Sequence, residues 1–318
     1  MQVTIPPVLT QPGGAGSTAA GATWVAALPD LVSRAVARWG LLLGEPFGVG
    51  TASWTAPGLL PDSTPVVLKL SFPHDEARFE AMALALWRGS AAVELLAHDA
   101  DDWALLLRRA HPGTPLLADP GPPDNQIDAC LGVLANLHMA PVGDVGVPLL
   151  REVCERWVGL ANARAARWSG VLGDRAPLVA NGIDALRVLA ADDGGPTVLL
   201  HGDLNPGNLI LDDPGTPHWL AIDPKPMVGD PAYELWPVLS QIDDPFRYPD
   251  PLSIAEPRLR RAAQAFAISS DRVALWAFAR TVEAALWKLE TWQSPASQRE
   301  AADWLDEARV WAMLAGRA

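Results

Sequence analysis

A run of polar residues between two apolar segments carries the strongest chemical signal in the sequence. It reads HGDLNPGN from His201 to Asn208, and AID follows at 221–223. Asp203 and Asn208 lie five positions apart, and Asp223 follows fifteen positions after Asn208. This set suits phosphoryl transfer, in which one carboxylate accepts the proton of an attacking hydroxyl while an amide and a second carboxylate hold Mg²⁺ on nucleotide phosphates. Ordinary turn residues are the alternative, but turn formation does not explain the combined spacing.

Lysine is scarce in this chain, which has 21 arginines and three lysines. Lys69 lies within the apolar run VVLKL, where a charged side chain needs a partner or a ligand. In a kinase arrangement such a lysine reaches the α- and β-phosphates and is positioned by a carboxylate on the following helix. Glu80 is the preferred candidate for that carboxylate and Glu76 the reserve. The alternative is a lysine on an edge strand that extends its amine into solvent.

A glycine-containing segment, GVGTASW at 48–54, precedes the lysine strand by the length of a hairpin. Gly48 and Gly50 would let backbone N–H groups approach nucleotide phosphates, and Ser53 closes the segment. The segment is therefore a candidate phosphate-covering loop. A simple hairpin turn is the alternative.

The order of apolar, glycine and proline residues predicts a small, mainly β lobe ahead of a larger, mainly α lobe. In the first lobe, apolar residues at helical spacing over 24–43 predict a helix that stops at Gly40. We also expect strands between 44 and 70, a helix over 75–87, and strands over 92–96 and 103–107. In the second we expect helices over 127–137, 153–168 and 183–190 and short strands at 197–200, 209–211 and 219–222. The predicted class is α+β.

The segment from Gln11 to Gly21 reads QPGGAGSTAAG, a composition that favours a mobile arm. The sequence therefore predicts three parts: a flexible N-terminal arm over 1–23, a nucleotide-binding lobe over 24–109, and a catalytic and substrate-binding lobe over 110–318.

Composition limits the class of protein. The 318 residues are 49% hydrophobic and 19% charged, with a net charge of −13, so nucleic acid and anionic membranes are poor partners. No basic residue precedes Thr23 and no apolar run is long enough to span a bilayer, so we expect neither export nor membrane insertion. Cys130 and Cys154 lie in helical segments without metal-type spacing, which favours a reducing cytoplasm.

Four segments together resemble the aminoglycoside phosphotransferase family, and within it the branch of streptomycin 6-phosphotransferases and hydroxyurea-resistance kinases. They are HGDLNPGN, AIDPKPMVGDPAYEL, VVLKL and ALLLRRAHPG. The resemblance covers the chain from about Trp24 to Glu290. It implies a bilobal protein-kinase-like fold and ATP-dependent phosphorylation of a small-molecule hydroxyl.

The resemblance also implies roles for individual residues. Asp203 is the catalytic base, Asn208 and Asp223 are the Mg²⁺ ligands, and Lys69 anchors the ATP phosphates. Arg108 and Ala110 supply the hinge backbone that meets adenine. Arg108 departs from the family, in which an acidic residue is common there; main-chain groups would still read the adenine.

Acceptor binding is expected at Asp203 and, from the resemblance of ALWKLE at 285–290 to a C-terminal helix of the family, at Trp287 and Glu290. Asp243 and Asp244 are expected to form a solvated acidic turn.

Two further residues are interpreted as structural. Asp230 begins a helix as its N-cap, and His201 braces the catalytic loop.

The acceptor is expected to be a small molecule. Only six residues separate Asp223 from Asp230, which is too short a segment to dock a peptide as protein kinases do. The negative charge favours a cationic acceptor, of which streptomycin is an example. Hydroxyurea, an endogenous sugar or amino alcohol, and a catalytically silent nucleotide-binding protein are the alternatives.

Overall fold

The computed structural model describes residues 3–143, 146–192, 195–213, 215 and 218–317. The chain divides into two compact units. The first comprises Met1–Pro115 and Ile210–Lys225, and the second Leu116–Leu209 and Pro226–Ala318. This division falls later than the sequence-based boundary after Arg109 and assigns 210–225 to the first unit.

The elements are segregated as expected for an α+β protein, with most strands in the first unit and most helices in the second. The strands are β1 (Leu42–Leu43), β2 (Ser53–Leu59), β3 (Pro65–Ser71), β4 (Leu95–Asp99), β5 (Ala104–Arg108), β6 (Pro112–Pro115), β7 (Val198–Leu200), β8 (Leu209–Asp212), β9 (His218–Ala221) and β10 (Met227–Gly229). The helices are α1 (Ala19–Trp39), α2 (Glu80–Trp87), α3 (Pro123–Leu137), α4 (Leu150–Arg167), α5 (Ser169–Leu172), α6 (Ala176–Ala191), α7 (Leu235–Gln241), α8 (Pro251–Ala265), α9 (Ser270–Trp292) and α10 (Pro295–Leu314).

The first unit is built on an antiparallel five-stranded sheet in the order β1-β2-β3-β5-β4. Along β2 every second residue is buried, as expected for a strand with one face on a core. That core includes Trp54 and Ala56 from β2 and Leu28 and Val32 from α1. The sheet thus carries Lys69 in its central strand β3, between β2 and β5.

The N-terminal segment differs from the mobile arm that its composition predicts. It contains 3-10 turns at Pro7–Leu9 and Ala15–Ser17, and the Leu9 side chain is fully buried in the core of the first unit. Helix α1 begins at Ala19, where the Thr18 hydroxyl accepts a hydrogen bond from a backbone N–H. It ends as predicted, with Gly40 in a left-handed conformation. Small residues here permit close packing rather than mobility.

A three-stranded sheet in the order β6-β8-β9 completes the first unit. Its strand β9 is fixed to the segment before β4, because the Val93 N–H donates to the Ala221 carbonyl and the Ala221 N–H donates to the Ala91 carbonyl. This segment forms only an isolated bridge at Ala92. The strand predicted over 92–96 lies instead at β4. The pairing delivers Asp223, two residues after β9, to the first unit.

Most elements of the second unit are helices, and its described residues also include the antiparallel pair of β7 and β10. Helix α9 lies at its centre and contacts α4, α6, α7, α8 and α10. No helix of the described residues is long and apolar enough to cross a membrane.

Helices α6 and α9 approach each other closely at Gly182. A Cβ atom at this position would lie 2.5 Å from Cγ2 and 2.8 Å from Cβ of Val282. The two helices therefore meet at a distance that only glycine allows.

Gly182→Ala is expected to lower the free energy of unfolding by about 1–3 kcal/mol, because the added methyl group overpacks this contact. Gly159→Ala in α4 is the matched control, since a Cβ there meets no atom within 4 Å. The control is expected to leave stability unchanged or to raise it by up to about 1 kcal/mol. Urea unfolding measures both, and equal stability of the two variants would contradict the packing argument.

Candidate active site

The Lys69 ammonium lies between two carboxylates. Its Nζ atom donates to Glu80 at 2.6 Å (Oε1) and 2.7 Å (Oε2) and to Asp223 Oδ1 at 2.5 Å. Lys69 is 6% exposed and Glu80 is 2% exposed. Burial alone would lower the pKa of Lys69, but the two adjacent carboxylates raise it above its usual range, so the side chain is held charged.

Glu76 takes a different partner. Its carboxylate faces Lys225 at 3.5 Å, and its side chain is 58% exposed. Of the two candidates from the sequence, Glu80 at the first turn of α2 is the one that pairs with Lys69.

Asp223 lies directly beyond β9 in a left-handed backbone conformation, with a φ of 59°. Aspartate tolerates this conformation better than most residues. One oxygen contacts Lys69, and the side chain is 50% exposed.

Asp223 of the first unit carries a carboxylate and Asn208 of the second an amide. Taken singly, each offers an oxygen donor of the kind that Mg²⁺ accepts. Across the described parts of the chain, no group of three or more His, Cys, Asp or Glu side chains converges. Mg²⁺ is commonly held by one or two protein ligands together with substrate phosphates and water.

Residues 44–52 connect β1 to β2 in the first unit and include both glycines of the candidate loop. Gly48 and Gly50 are exposed, and Gly50 has a φ of 92°, which favours glycine. Ser53 begins β2.

The predicted hinge follows β5, the strand that ends at Arg108. The Arg108 side chain pairs with the Glu94 carboxylate, and the Arg108 backbone N–H donates to the Glu94 carbonyl. Ala110, two residues further on, is buried.

The loop from His201 to Asn208 lies in the second unit and is fixed by its own side chains. The Asn208 Nδ2 donates to the Asp203 carbonyl at 2.9 Å, and the Asn205 Nδ2 donates to the same oxygen at 3.1 Å. The Asp203 N–H donates to His201 Nδ1 at 3.3 Å, which places the imidazole proton of a neutral His201 on Nε2. His201 is fully buried, as its interpretation as a bracing residue requires.

Glu234 is a bracing residue that the sequence analysis missed. It is 1% exposed, and its Oε1 accepts the Gly202 N–H at 2.7 Å. Its Oε2 lies 2.7 Å from His138 Nε2. The only sequence signal was its position four residues after Asp230, within the segment that carried the family resemblance.

Asp230 directly follows β10 and fixes the turn that comes after this strand. It caps the turn at Pro231–Glu234 by accepting the Ala232 N–H at 2.9 Å. The same carboxylate accepts Arg272 Nε at 2.6 Å and the indole N–H of Trp276 at 2.5 Å. Its role is therefore structural, as predicted.

The residues expected at the acceptor are partly engaged within the second unit. Trp287 is 44% exposed. The Glu290 carboxylate forms an ion pair with Arg167 and accepts the Trp168 indole N–H at 3.1 Å. Trp168 is thus a further aromatic residue at this position that the sequence analysis did not single out.

The acidic turn at 243–244 is more than a solvated turn. Asp243 accepts from Arg258 at 3.1 Å and from the Tyr248 hydroxyl at 3.0 Å. Asp244 accepts the Phe246 N–H at 2.9 Å. Both carboxylates stabilise local structure, which corrects the expectation of a solvated acidic turn.

Comparison with known proteins gives the family. The model of the aminoglycoside/hydroxyurea antibiotic resistance kinases matches residues 43–291. The chain belongs to this family. The resemblance predicted from its motifs is confirmed, and the chain is a kinase that transfers phosphate to an alcohol group.

Two relatives cover most of this kinase. Streptomycin 6-kinase from Streptomyces glaucescens is 33% identical over 278 residues, which are 85% of this chain and 86% of that protein. Hydroxyurea phosphotransferase from Kitasatospora aureofaciens is 32% identical over 295 residues, which are 89% of this chain and 80% of that protein.

Solved structures confirm the protein-kinase-like fold. Ethanolamine kinase from Plasmodium vivax has a TM-score of 0.64 at 13% identity, covering 91% of this chain and 86% of that one. Spectinomycin phosphotransferase, in complex with ADP and spectinomycin, has a TM-score of 0.60 at 12% identity, covering 90% of this chain and 98% of that one. Kinases of this fold bind nucleotides.

Glu80→Ala is expected to raise the KM for ATP and to lower kcat by about tenfold to a hundredfold, because Lys69 loses the buried carboxylate that orients it. Glu76→Ala is the matched control and is expected to be nearly silent. Steady-state kinetics with varied ATP compares the two. If Glu76→Ala is the impaired variant, the assignment of Glu80 as the partner that orients Lys69 in the working enzyme is wrong.

Proposed function

We propose that this kinase transfers the γ-phosphate of ATP to a hydroxyl of a cationic aminoglycoside, with streptomycin as the first candidate. The observation that carries the proposal is the charged set of Lys69, Glu80 and Asp223 in one unit, together with the loop that bears Asp203 and Asn208 in the other. A catalytically silent nucleotide-binding protein has no need of this complete set.

The first unit would bind the nucleotide. Lys69 anchors the α- and β-phosphates, with Glu80 holding its ammonium in place. Backbone N–H groups around Gly48 and Gly50 and the Ser53 hydroxyl cover the phosphates.

The hinge backbone at Arg108 and Ala110 meets the adenine. Because the Arg108 side chain is engaged by Glu94, recognition there relies on main-chain groups.

Mg²⁺ would be held by Asn208 and Asp223. Asn208 uses its amide N–H to fix the Asp203 carbonyl, which leaves the amide oxygen available as a ligand. When bound, the ion neutralises charge that develops on the transferred phosphoryl group. Asp223 provides the second ligand, since its carboxylate is half exposed.

Asp203 would act as the general base. Its carboxylate accepts the proton of the acceptor hydroxyl while the hydroxyl oxygen forms a bond to the γ-phosphorus and the bond to the β-phosphate oxygen breaks. The backbone of Asp203 is held from both sides, by Asn208 at its carbonyl and by His201 at its N–H, so the carboxylate is oriented before the acceptor binds.

The spacing of the residues proposed to bind the acceptor favours a large acceptor over a small one. The Gly202 N–H, next to Asp203, donates to Glu234 at 2.7 Å, so the proposed catalytic loop lies beside the turn that carries Tyr233. Arg280 of α9 donates to the Tyr233 carbonyl at 3.0 Å. At about 1.5 Å per residue, Trp287 lies roughly 10 Å and Glu290 roughly 15 Å further along the helix.

A multi-ring aminoglycoside spans that length, whereas hydroxyurea, a molecule of a few heavy atoms, does not. An ammonium or guanidinium group could exchange with Arg167 for the Glu290 carboxylate, because the Arg167 side chain is 63% exposed. Streptomycin carries such cations. Hydroxyurea stays the second candidate because a hydroxyurea phosphotransferase is similarly related in sequence.

The proposed reaction needs cytoplasmic ATP. Cys130 and Cys154 are free and buried, and burial raises the pKa of each thiol to about 12. Neither thiol acts in the proposed mechanism, and both are compatible with a reducing compartment.

ATP consumption with streptomycin or hydroxyurea, at low and at high ionic strength, tests the proposal. Streptomycin-dependent turnover is expected, with a KM that rises as salt is added, because screening at ~0.15 M shortens electrostatic reach to roughly 8 Å. Asp203→Asn is expected to lower kcat by about 10²–10⁴-fold while leaving nucleotide binding largely intact.

No streptomycin-dependent turnover would overturn the substrate assignment. A salt-independent KM would keep the substrate and remove the electrostatic argument. If Asp203→Asn retained more than half of the activity, Asp203 would not be the base.

A further inference from the structure

The N-terminal strap, defined here as residues 3–18, packs beside the candidate phosphate-covering loop in the first unit. The match to the family model begins only at residue 43, so the strap lies outside the matched region. Its conformation is ordered around Leu9, which is fully buried. The strap therefore adds a structural element next to the nucleotide-binding residues.

Three hydrogen bonds join the strap to the segment that carries the loop. The Trp54 indole N–H donates to the Thr4 carbonyl at 2.9 Å, and the Thr4 hydroxyl donates to Glu45 at 3.2 Å. The Ala15 N–H donates to the Thr51 carbonyl at 2.7 Å. These bonds contact the loop segment before and after its glycines.

The bond at Thr51 is the anchor nearest to the loop tip on its C-terminal side. Two further backbone hydrogen bonds, both at 2.8 Å, hold the base of the loop. The Phe47 N–H donates to the Thr55 carbonyl, and the Phe72 N–H donates to the Ala52 carbonyl. The loop tip, which precedes Thr51, is exposed to solvent, and Val49 there is 70% exposed. The strap thus fixes the backbone one residue after Gly50.

The glycines of the strap and of the following turn of α1 are needed for this packing. A Cβ at Gly14 would clash with the carbonyls of Val8 and Leu9, and one at Gly16 would lie 2.7 Å from the Leu9 carbonyl oxygen. A Cβ at Gly21 would clash with the Ala15 carbonyl. The composition that suggested a flexible arm instead permits backbone contacts that hold Ala15 against the loop.

We propose that the N-terminal strap is a positioning element that pre-organises the phosphate-covering loop for ATP. The inference rests on the proposed function, because it takes this loop to be the one that covers the phosphates. A loop that is already ordered loses less conformational freedom when nucleotide binds, so affinity for ATP is higher. Acceptor binding, which depends on the second unit, is outside its influence.

Gly14→Ala tests the inference, because the added methyl group displaces the strap without touching the loop. Affinity for a non-hydrolysable ATP analogue is measured by calorimetry, and the KM values for ATP and streptomycin by steady-state kinetics. We expect the analogue Kd and the KM for ATP to rise by about three- to tenfold. The KM for streptomycin is expected to stay unchanged.

Gly182→Ala is the control for lost stability away from the strap. It overpacks the contact between α6 and α9 in the second unit, and it is expected to lower Tm while leaving the Kd for the analogue unchanged at temperatures where both variants are folded. Equal nucleotide affinity of Gly14→Ala and wild type, or an equal loss in Gly182→Ala, would overturn the inference.

Trp54→Phe is the second variant and covers the case in which Gly14→Ala does not fold. It keeps an aromatic ring in the core, removes the N–H bond to Thr4 and leaves a smaller side chain at this buried position. A smaller rise in Kd for the analogue is expected, and an unchanged Kd would overturn the inference. Wild-type protein that binds the analogue but transfers no phosphate would refute the transferase proposal alone. Wild-type protein that does not bind it would refute both.

Discussion

The Lys69 ammonium is the charge around which the first unit is arranged. A buried cation is costly unless it is paired and hydrogen-bonded, and here two carboxylates pay that cost. The three charged groups lie on different elements: Lys69 on the central strand, Glu80 in the first turn of α2, and Asp223 just after β9. The sheet, the helix and the strand must therefore keep their positions together. Removal of Lys69 would leave the buried Glu80 carboxylate without its cation, and removal of Glu80 would leave Lys69 with Asp223 as its remaining partner in this cluster.

In the second unit the corresponding constraint is the orientation of the Asp203 carboxylate, the proposed general base. Hydrogen bonds to its N–H and its carbonyl fix the backbone of Asp203. Buried side chains nearby stabilise the loop and the turn that follows β10. Glu234 accepts the N–H of Gly202, and Asp230 joins its own turn to α9 through Arg272 and Trp276. Orientation of the Asp203 carboxylate by its neighbours is what the general-base role proposed for it requires.

Groups that lie on one loop or strand could be predicted from the sequence, because their spacing along the chain also fixes their spacing in the folded protein. The motif at 201–208 and the lone lysine of VVLKL identified the charged groups, and helical periodicity identified α1 and its end at Gly40. Partners supplied by distant segments were not predictable, as with Glu234, whose role depends on contacts with Gly202 and His138. Composition misled at 11–21, because glycine favours mobility in a linker and close backbone contact in a packed turn.

The Mg²⁺ dependence of ATP binding tests most directly the claim that Asp223 serves both Lys69 and the metal. Calorimetric titrations of ATP at varied Mg²⁺ compare wild type, Asp223→Asn and the exposed-carboxylate control Glu76→Gln. For Asp223→Asn the Mg²⁺ concentration that gives half-maximal ATP binding is expected to rise roughly tenfold or more, with Glu76→Gln matching wild type. Superimposable Mg²⁺ titrations of Asp223→Asn and wild type would contradict the account.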